Sequence, residues 1–132
     1  MTPLLKLVIA MTVLTWLSIM VASLLRSHGW TPRGMKLAMG NRDDLPKPTP
    51  LAGRADRASK NTVENFILFA AIALVAAIAA PNSAQVLLGA QIFFWARVVY
   101  LPIYYAGVQG IRTAVWAVSV AGLAVMVAAL LM

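Results

Sequence analysis

Residues 53–65 read GRADRASKNTVEN and lead directly into an unbroken apolar run, FILFAAIALVAAIAA, at residues 66–80. In a helix with about 100° between successive residues, four polar positions of this stretch occupy an arc of roughly 80°. They are Arg54, Arg57, Asn61 and Glu64. These side chains therefore form one polar stripe that leads into a membrane helix. Because ionisable groups are costly to bury in a membrane, such a stripe indicates a functional site.

The composition is that of an integral membrane protein. Of the 132 residues, 61% are hydrophobic and 11% are charged, whereas a soluble domain has about 45–50% apolar and about 25% charged residues. The chain contains no cysteine, which excludes disulfides and cysteine chemistry. Its one histidine, His28, has no second histidine or carboxylate at ligand spacing, so we predict no metal site.

The positive charge surrounds apolar segments and does not form a nucleic-acid-binding motif. The formal net charge is +7, but the basic residues flank apolar helices, and no pattern of an RNA- or DNA-binding fold is present. Membrane topology and anionic lipid explain such charge more simply. We therefore predict contact with membrane lipids and no nucleic-acid partner.

Apolar segments and helix breakers predict an all-α integral membrane four-helix bundle that forms a single domain. The predicted helices are at about residues 4–25, 55–80, 83–106 and 112–131, with a long connection at 26–53. The first helix is predicted to be retained, because its apolar core is longer than the 7–15 residues or so of a signal peptide and no clear cleavage site follows. Prolines in LPKPTP predict an extended end to the connection, and Pro102 predicts a kink in the third helix.

The basic residues predict one orientation of the bundle in the membrane. Lys6 alone lies on one side, and nine basic residues lie on the other: Arg26, Arg33, Lys36, Arg42, Lys47, Arg54, Arg57, Lys60 and Arg112. By the positive-inside rule, the long connection is cytoplasmic and both termini lie on the opposite side.

With this orientation, three helices bring polar residues into the cytoplasmic leaflet. The second helix contributes the polar stripe, and the start of the fourth contributes Arg112 and Thr113. The third contributes Tyr100, Tyr104 and Arg97, and Arg97 lies about 10 Å deeper than Tyr104 at about 1.5 Å per residue. The other leaflet is almost free of polar side chains. This convergence predicts a common site.

The converging residues carry more positive than negative charge. Beside the acids Glu64 and Asp56 lie five basic side chains, which are Arg54, Arg57, Lys60, Arg97 and Arg112. Because buried charges require partners, an added anion is needed to complete the site. A ligand with carboxylates suits the arginines, and Arg112 at a helix N-terminus is near a position that favours an anion. Glu64 is left to hold a cationic group such as an amine.

Simpler interpretations exist for each part of this cluster. Arg54, Arg57 and Lys60 are consistent with anchors that extend to lipid phosphates. An Arg97–Glu64 pair is consistent with a purely structural ion pair, and the tyrosines are consistent with packing at the interface. Only the complete set favours a ligand site.

The spacing of these residues resembles the MAPEG family, the membrane-associated proteins of eicosanoid and glutathione metabolism. The family pattern on the second helix is Arg-x-x-Arg-x-x-x-Asn-x-x-Glu, which residues 54–64 reproduce. On the third helix the family has an Arg followed seven residues later by Tyr, as Arg97 and Tyr104 are here, and Tyr100 is similar to the leukotriene-synthase branch. Further similarities to prostaglandin E synthase are the pair Arg112–Thr113 and the spacing of Arg33 and Asn41.

The resemblance covers essentially the whole chain and implies a homotrimer that binds glutathione in a U-shape between neighbouring protomers. It implies that the tripeptide is held by Arg33, Arg57, Asn61, Glu64, Tyr100 and Tyr104. The charge argument adds Arg54, Lys60, Arg97 and Arg112 to the candidate glutathione-binding residues. The two carboxylates and one amine of glutathione match the charges that the cluster requires.

The activity that the resemblance implies is glutathione transfer to, or peroxide reduction of, a lipophilic electrophile. Arg112 is expected to stabilise the thiolate by its charge, with a hydrogen bond from Thr113 or Tyr104. Asn65 replaces an aromatic residue common in the family, and Trp116 replaces a tyrosine of prostaglandin E synthase. These differences argue against the eicosanoid activities. The chain resembles bacterial members, so detoxification at a bacterial inner membrane is expected.

Two functions of other classes stay open at this point. One is a small four-helix transporter, although the first, third and fourth helices contain no acid that would couple ions. The other is a non-catalytic regulatory relative whose basic site holds a lipid head group.

Overall fold

The protein consists of helices and contains no strand. A computed structural model describes all 132 residues and contains α1 (Pro3–Ser27), α2 (Pro32–Met39), α3 (Pro50–Ala79), α4 (Ala84–Ala106) and α5 (Gln109–Leu131). Helices α1, α3, α4 and α5 are long and apolar enough to cross a membrane. The predicted all-α architecture with four membrane spans is confirmed.

Four of the five helices begin after a residue whose side chain accepts a hydrogen bond from the first turn, and α5 alone has no such cap. Thr49 accepts a hydrogen bond from the backbone N–H of Ala52 at 3.1 Å, and Pro50 follows it as the first helical residue. Thr31 and Pro32 begin α2 in the same way. A capping hydroxyl satisfies a free N–H group, and proline has no N–H to leave unpaired.

The threonine–proline pairs before α2 and α3 explain two of the differences from the predicted helix bounds. The connection predicted at residues 26–53 contains α2 and the first residues of α3, because each threonine–proline pair starts a helix. Helix α5 begins at Gln109, so Arg112 lies one turn inside this helix and does not open it.

The four long helices pack as two pairs that share one apolar core. Helix α1 packs along α3, and α4 packs along α5. The pairs meet where the rings of Phe69 and Phe93 stack with their centroids 4.6 Å apart. Met11, Ala73 and Met126 complete the buried centre of this cluster. Because the two pairs contact each other here through apolar side chains, the polar residues of α3 and α4 contact each other nearer the long connection.

Two glycines allow α4 and α5 to approach closely. A Cβ atom added at Gly122 would lie 2.7 Å from the carbonyl oxygen of Gly89 and 2.7 Å from the backbone nitrogen of Phe93. Since the obstacles are backbone atoms, the helices would have to separate to accommodate a methyl group. Small residues serve this purpose in lipid, where packing drives helix association.

We therefore expect the substitution Gly122→Ala to destabilise the α4–α5 pair by about 1–3 kcal/mol through overpacking. The midpoint of thermal unfolding in detergent measures this effect. Gly110→Ala is the matched control, because a Cβ atom at Gly110 meets nothing within 4 Å. Equal midpoints for Gly122→Ala and Gly110→Ala would contradict the close approach.

Candidate functional site

A cavity of about 240 Å³ lies between α3, α4 and α5, and we call it the tyrosine cavity. Its six lining residues are Asn61, Tyr100, Tyr104, Arg112, Thr113 and Trp116. Five of them are candidate site residues from the sequence, and they come from three helices. The structure therefore brings these five candidates around one space.

Two arginines pack against the tyrosines of the tyrosine cavity, with Arg112 lining the cavity and Arg97 lying behind its wall. The guanidinium carbon of Arg97 lies 4.1 Å from the ring centroid of Tyr100, and that of Arg112 lies 4.5 Å from the ring of Tyr104. The two tyrosine rings meet edge to face, with centroids 5.4 Å apart. Each cation thus has an aromatic neighbour, which is worth about 0.5–2 kcal/mol.

Neither arginine has a carboxylate partner. The one ion pair in the chain joins Lys60 to Asp56 at 2.9 Å and lies one turn apart on α3. The Arg97–Glu64 ion pair considered from the sequence is absent, since Glu64 is exposed and Arg97 contacts other residues. The positive charge beside the tyrosine cavity is therefore not neutralised by the chain itself.

Arg97 is completely buried and lies behind the wall of the tyrosine cavity. Its Nη2 atom donates to Asn61 Oδ1 at 2.9 Å and to Thr62 Oγ1 at 2.8 Å. Its Nε and Nη1 atoms have no hydrogen-bond partner. We expected Arg97 among the ligand-binding residues, but it does not line the cavity. Arg97 instead contacts two residues that line the cavity, Asn61 and Tyr100.

Most of the polar stripe on α3 faces away from the tyrosine cavity. Arg57, Lys60 and Glu64 are exposed. Arg54 is half-buried, and its Nε atom donates to the carbonyl oxygen of Tyr105 at 2.8 Å. The reason is the rotation of α3 about its own axis. Its buried face consists mainly of small residues beside the stripe, so Asn61 is the one stripe residue that lies at the cavity.

Arg33 lies in a different part of the molecule. It lines two cavities of about 370 Å³ and 520 Å³ in the long connection, together with Leu37 and Asp44. Within one chain, therefore, Arg33, Arg57, Lys60 and Glu64 do not join the residues around the tyrosine cavity.

Three residues beside the site were not among the predicted site residues. Trp116 lines the tyrosine cavity and is 39% exposed. Thr62 accepts a hydrogen bond from Arg97, and Asn65 donates to the carbonyl oxygen of Asn61 at 2.9 Å. The signal in the sequence was the occurrence of Thr62 and Asn65, two polar residues, on the apolar-facing side of a membrane helix.

The hydroxyl groups near Arg112 differ in their availability. Thr113 Oγ1 donates to the carbonyl oxygen of Gln109 at 3.3 Å, which occupies its only proton. The Tyr104 hydroxyl makes no hydrogen bond within the chain and keeps its proton for another acceptor. Of the two donors considered for a thiolate, Tyr104 is the one with a free O–H group.

A sequence model of the MAPEG family matches residues 3–132. No curated protein and no solved structure matches the chain. The family match extends over all five helices and so includes every residue around the tyrosine cavity.

Proposed function

This chain belongs to the MAPEG family, and on that premise we propose that it is a glutathione-dependent membrane transferase or peroxidase acting on lipophilic electrophiles. Family membership makes it a membrane protein of the glutathione and eicosanoid metabolism family. The observation that carries the finer proposal is the position of Arg112. This residue of α5 has no carboxylate partner, and it lines the tyrosine cavity together with Tyr104, whose hydroxyl is free. A thiolate is the anion that such a site would stabilise.

The donors around the tyrosine cavity fit a part of glutathione. The tripeptide carries two carboxylates, one amine and one thiol, and arginine and amide groups bind carboxylates well. The cavity measures about 240 Å³, which is below the roughly 300–1,000 Å³ of a complete small-molecule site. One chain therefore supports binding of the thiol together with one acceptor group near it, and leaves the rest of the tripeptide to other groups.

We propose that a second copy of the chain supplies those groups in a homotrimer. The exposed residues Arg57 and Glu64 and the basic residue Arg33 have the charges that the carboxylates and the amine of glutathione require. Their position outside the tyrosine cavity is the expected one if the complete site is formed between protomers. Arg54 on the polar stripe and Lys60 beside it extend the basic surface.

The chemistry begins with loss of the thiol proton to water. The charge of Arg112 and a hydrogen bond from Tyr104 stabilise the resulting thiolate. In conjugation, the sulfur forms a bond to the electrophilic carbon of an aromatic halide, and the carbon–halogen bond breaks to release halide. In peroxide reduction, the sulfur attacks one peroxide oxygen and the O–O bond breaks to release an alkoxide, which takes a proton from water to become an alcohol. The thiol of a second glutathione then displaces water from the sulfenic acid and forms a disulfide.

The lipophilic substrate is proposed to enter from the bilayer. Trp116 lies one turn beyond Arg112 on α5, lines the tyrosine cavity and is 39% exposed. An aromatic side chain at this position offers an apolar contact to a substrate dissolved in lipid.

The experiment that tests the function is conjugation of an activated chloroarene with glutathione by the purified protein in detergent. We expect product and chloride in equal amounts, and reduction of an organic hydroperoxide is assayed in parallel. Calorimetric titration with glutathione is the binding control. A flat titration together with no turnover would contradict the proposal and favour a regulatory relative that binds lipid head groups.

We propose that the protein lies in a bacterial inner membrane with the long connection in the cytoplasm. The support is the distribution of nine basic residues against Lys6. Because the chain has no cysteine, Lys47→Cys and Asn82→Cys provide single reporters on opposite sides. An impermeant thiol reagent is expected to label Asn82→Cys in intact spheroplasts and Lys47→Cys only after lysis. The reverse pattern would refute this orientation.

A further inference from the structure

The carboxamide oxygen of Asn61 is held by donors on the protein side. Arg97 Nη2 donates to Asn61 Oδ1 at 2.9 Å. A guanidinium group carries donors and no acceptor, so the atom of the carboxamide that faces it must be the oxygen. Asn65 Nδ2 approaches the same oxygen at 3.4 Å while it donates to the backbone carbonyl of Asn61 at 2.9 Å. Both neighbours favour one orientation of this amide.

The amide nitrogen of Asn61 is consequently the atom left for the tyrosine cavity. Asn61 lines that cavity, and its Nδ2 group makes no hydrogen bond within the chain. With the oxygen occupied, the residue presents two N–H donors and no free amide acceptor to a ligand.

We propose that Arg97 is a positioning residue, with Asn65 as its second support, which fixes Asn61 so that only its NH₂ group faces the tyrosine cavity. The ligand group bound against Asn61 is then a hydrogen-bond acceptor, either a carboxylate or a peptide carbonyl. This inference deepens the proposed function and rests on it where the acceptor is assigned to glutathione.

The burial of Arg97 is consistent with this role. A charge inside the bundle is costly unless it is paired, and Arg97 has no acid partner and two nitrogens without hydrogen bonds. Its remaining compensation is the ring of Tyr100 at 4.1 Å. An apolar side chain could fill this space without the cost of a buried charge. The guanidinium group is required only if it donates a hydrogen bond, as it does to the oxygen of Asn61.

The amide orientation is tested without a ligand by nuclear magnetic resonance on protein labelled with ¹⁵N-asparagine. The chain contains four asparagines, namely Asn41, Asn61, Asn65 and Asn82, and the side-chain signals of the two on α3 are assigned by removing each in turn. We expect the Asn61 NH₂ group to exchange with water at least about tenfold faster than that of Asn65, which is hydrogen-bonded and buried. Equal slow exchange of both groups would overturn the proposal.

Substitutions test whether the orientation matters for binding. Arg97→Met removes the donor, and we expect the glutathione Kd to rise about tenfold, because a free amide must be ordered on binding. Since one nitrogen of Arg97 makes both hydrogen bonds, the ammonium group of Arg97→Lys can replace it, and the Kd should stay within about threefold. Thr62→Val is the matched control, because it removes a partner of Arg97 and leaves the bond to Asn61.

The outcomes separate this proposal from the proposed function. If glutathione leaves the Asn61 signal unchanged and gives a flat titration, the proposed function fails, while the exchange rates still decide the orientation. If glutathione binds the unmodified protein and Arg97→Met with equal Kd, or if Arg97→Lys weakens binding as much as Arg97→Met, the positioning role is wrong. A lower unfolding temperature of Arg97→Met with unchanged Kd would identify a purely structural residue.

Discussion

Replacing Arg112 by alanine is expected to lower the turnover of glutathione conjugation about 100-fold, while the glutathione Kd changes by no more than about threefold. The reason is that the thiolate carries its full charge only after the proton has left, and Arg112 lies beside the cavity without an acid to offset it. The carboxylates of glutathione are assigned to other residues, so affinity depends less on Arg112. Turnover at saturating glutathione and calorimetric Kd measure the two quantities separately.

Lys47→Ala is the matched control for the loss of one positive charge. Lys47 is exposed in the long connection and makes no ion pair, so this variant should keep the turnover of the unmodified protein. The ultraviolet absorbance of bound thiolate provides an independent measurement, which should disappear in Arg112→Ala and persist in Lys47→Ala. Turnover of Arg112→Ala equal to that of the control would remove Arg112 from the proposed mechanism.

The second large effect is expected for Glu64→Ala, which should raise the glutathione Kd about 30-fold or more. Loss of one partner from a desolvated charge pair costs about 2–5 kcal/mol, and Glu64 is the acid assigned to the amine of glutathione. Turnover at saturating glutathione should recover, because Glu64 does not contact the sulfur in this assignment. Asp43→Ala, which removes an exposed acid of the long connection, serves as the control. An unchanged Kd in Glu64→Ala would contradict the assignment.

Mixed oligomers test whether the second copy supplies Glu64. If a site combines Glu64 of one protomer with Arg112 of its neighbour, co-expression of Glu64→Ala and Arg112→Ala chains gives trimers with one intact site. At a glutathione concentration well below the Kd of Glu64→Ala, where both parent proteins are nearly inactive, activity should then recover to at most about one third of that of the unmodified trimer. If both residues belong to the same chain's site, the mixture should show only the sum of the two parents.

The sequence by itself determined the membrane architecture and the family. Four apolar segments of membrane length can satisfy their backbone groups only as helices in lipid. The predicted bounds placed residues 26–53 in a connection, so they missed α2 and the start of α3 at Pro50. The spacing of residues 54–64 was sufficient to indicate the family, because its polar side chains follow the helical period on one face. Hydropathy did not reveal α2, which is short and lies in a polar connection.

Only the tertiary structure decided which polar residues share a space. The helical period relates Asn61 to Arg57 and Glu64 on α3, but it does not determine how α3 is rotated against its neighbours. Packing of the small residues of α3 sets that rotation, which leaves Asn61 beside the tyrosine cavity and turns Arg57 and Glu64 outward. Similarly, the packing of α4 against α3 places Arg97 within hydrogen-bond distance of Asn61. The two residues lie on different helices, so the spacing of residues within one helix could not predict this contact.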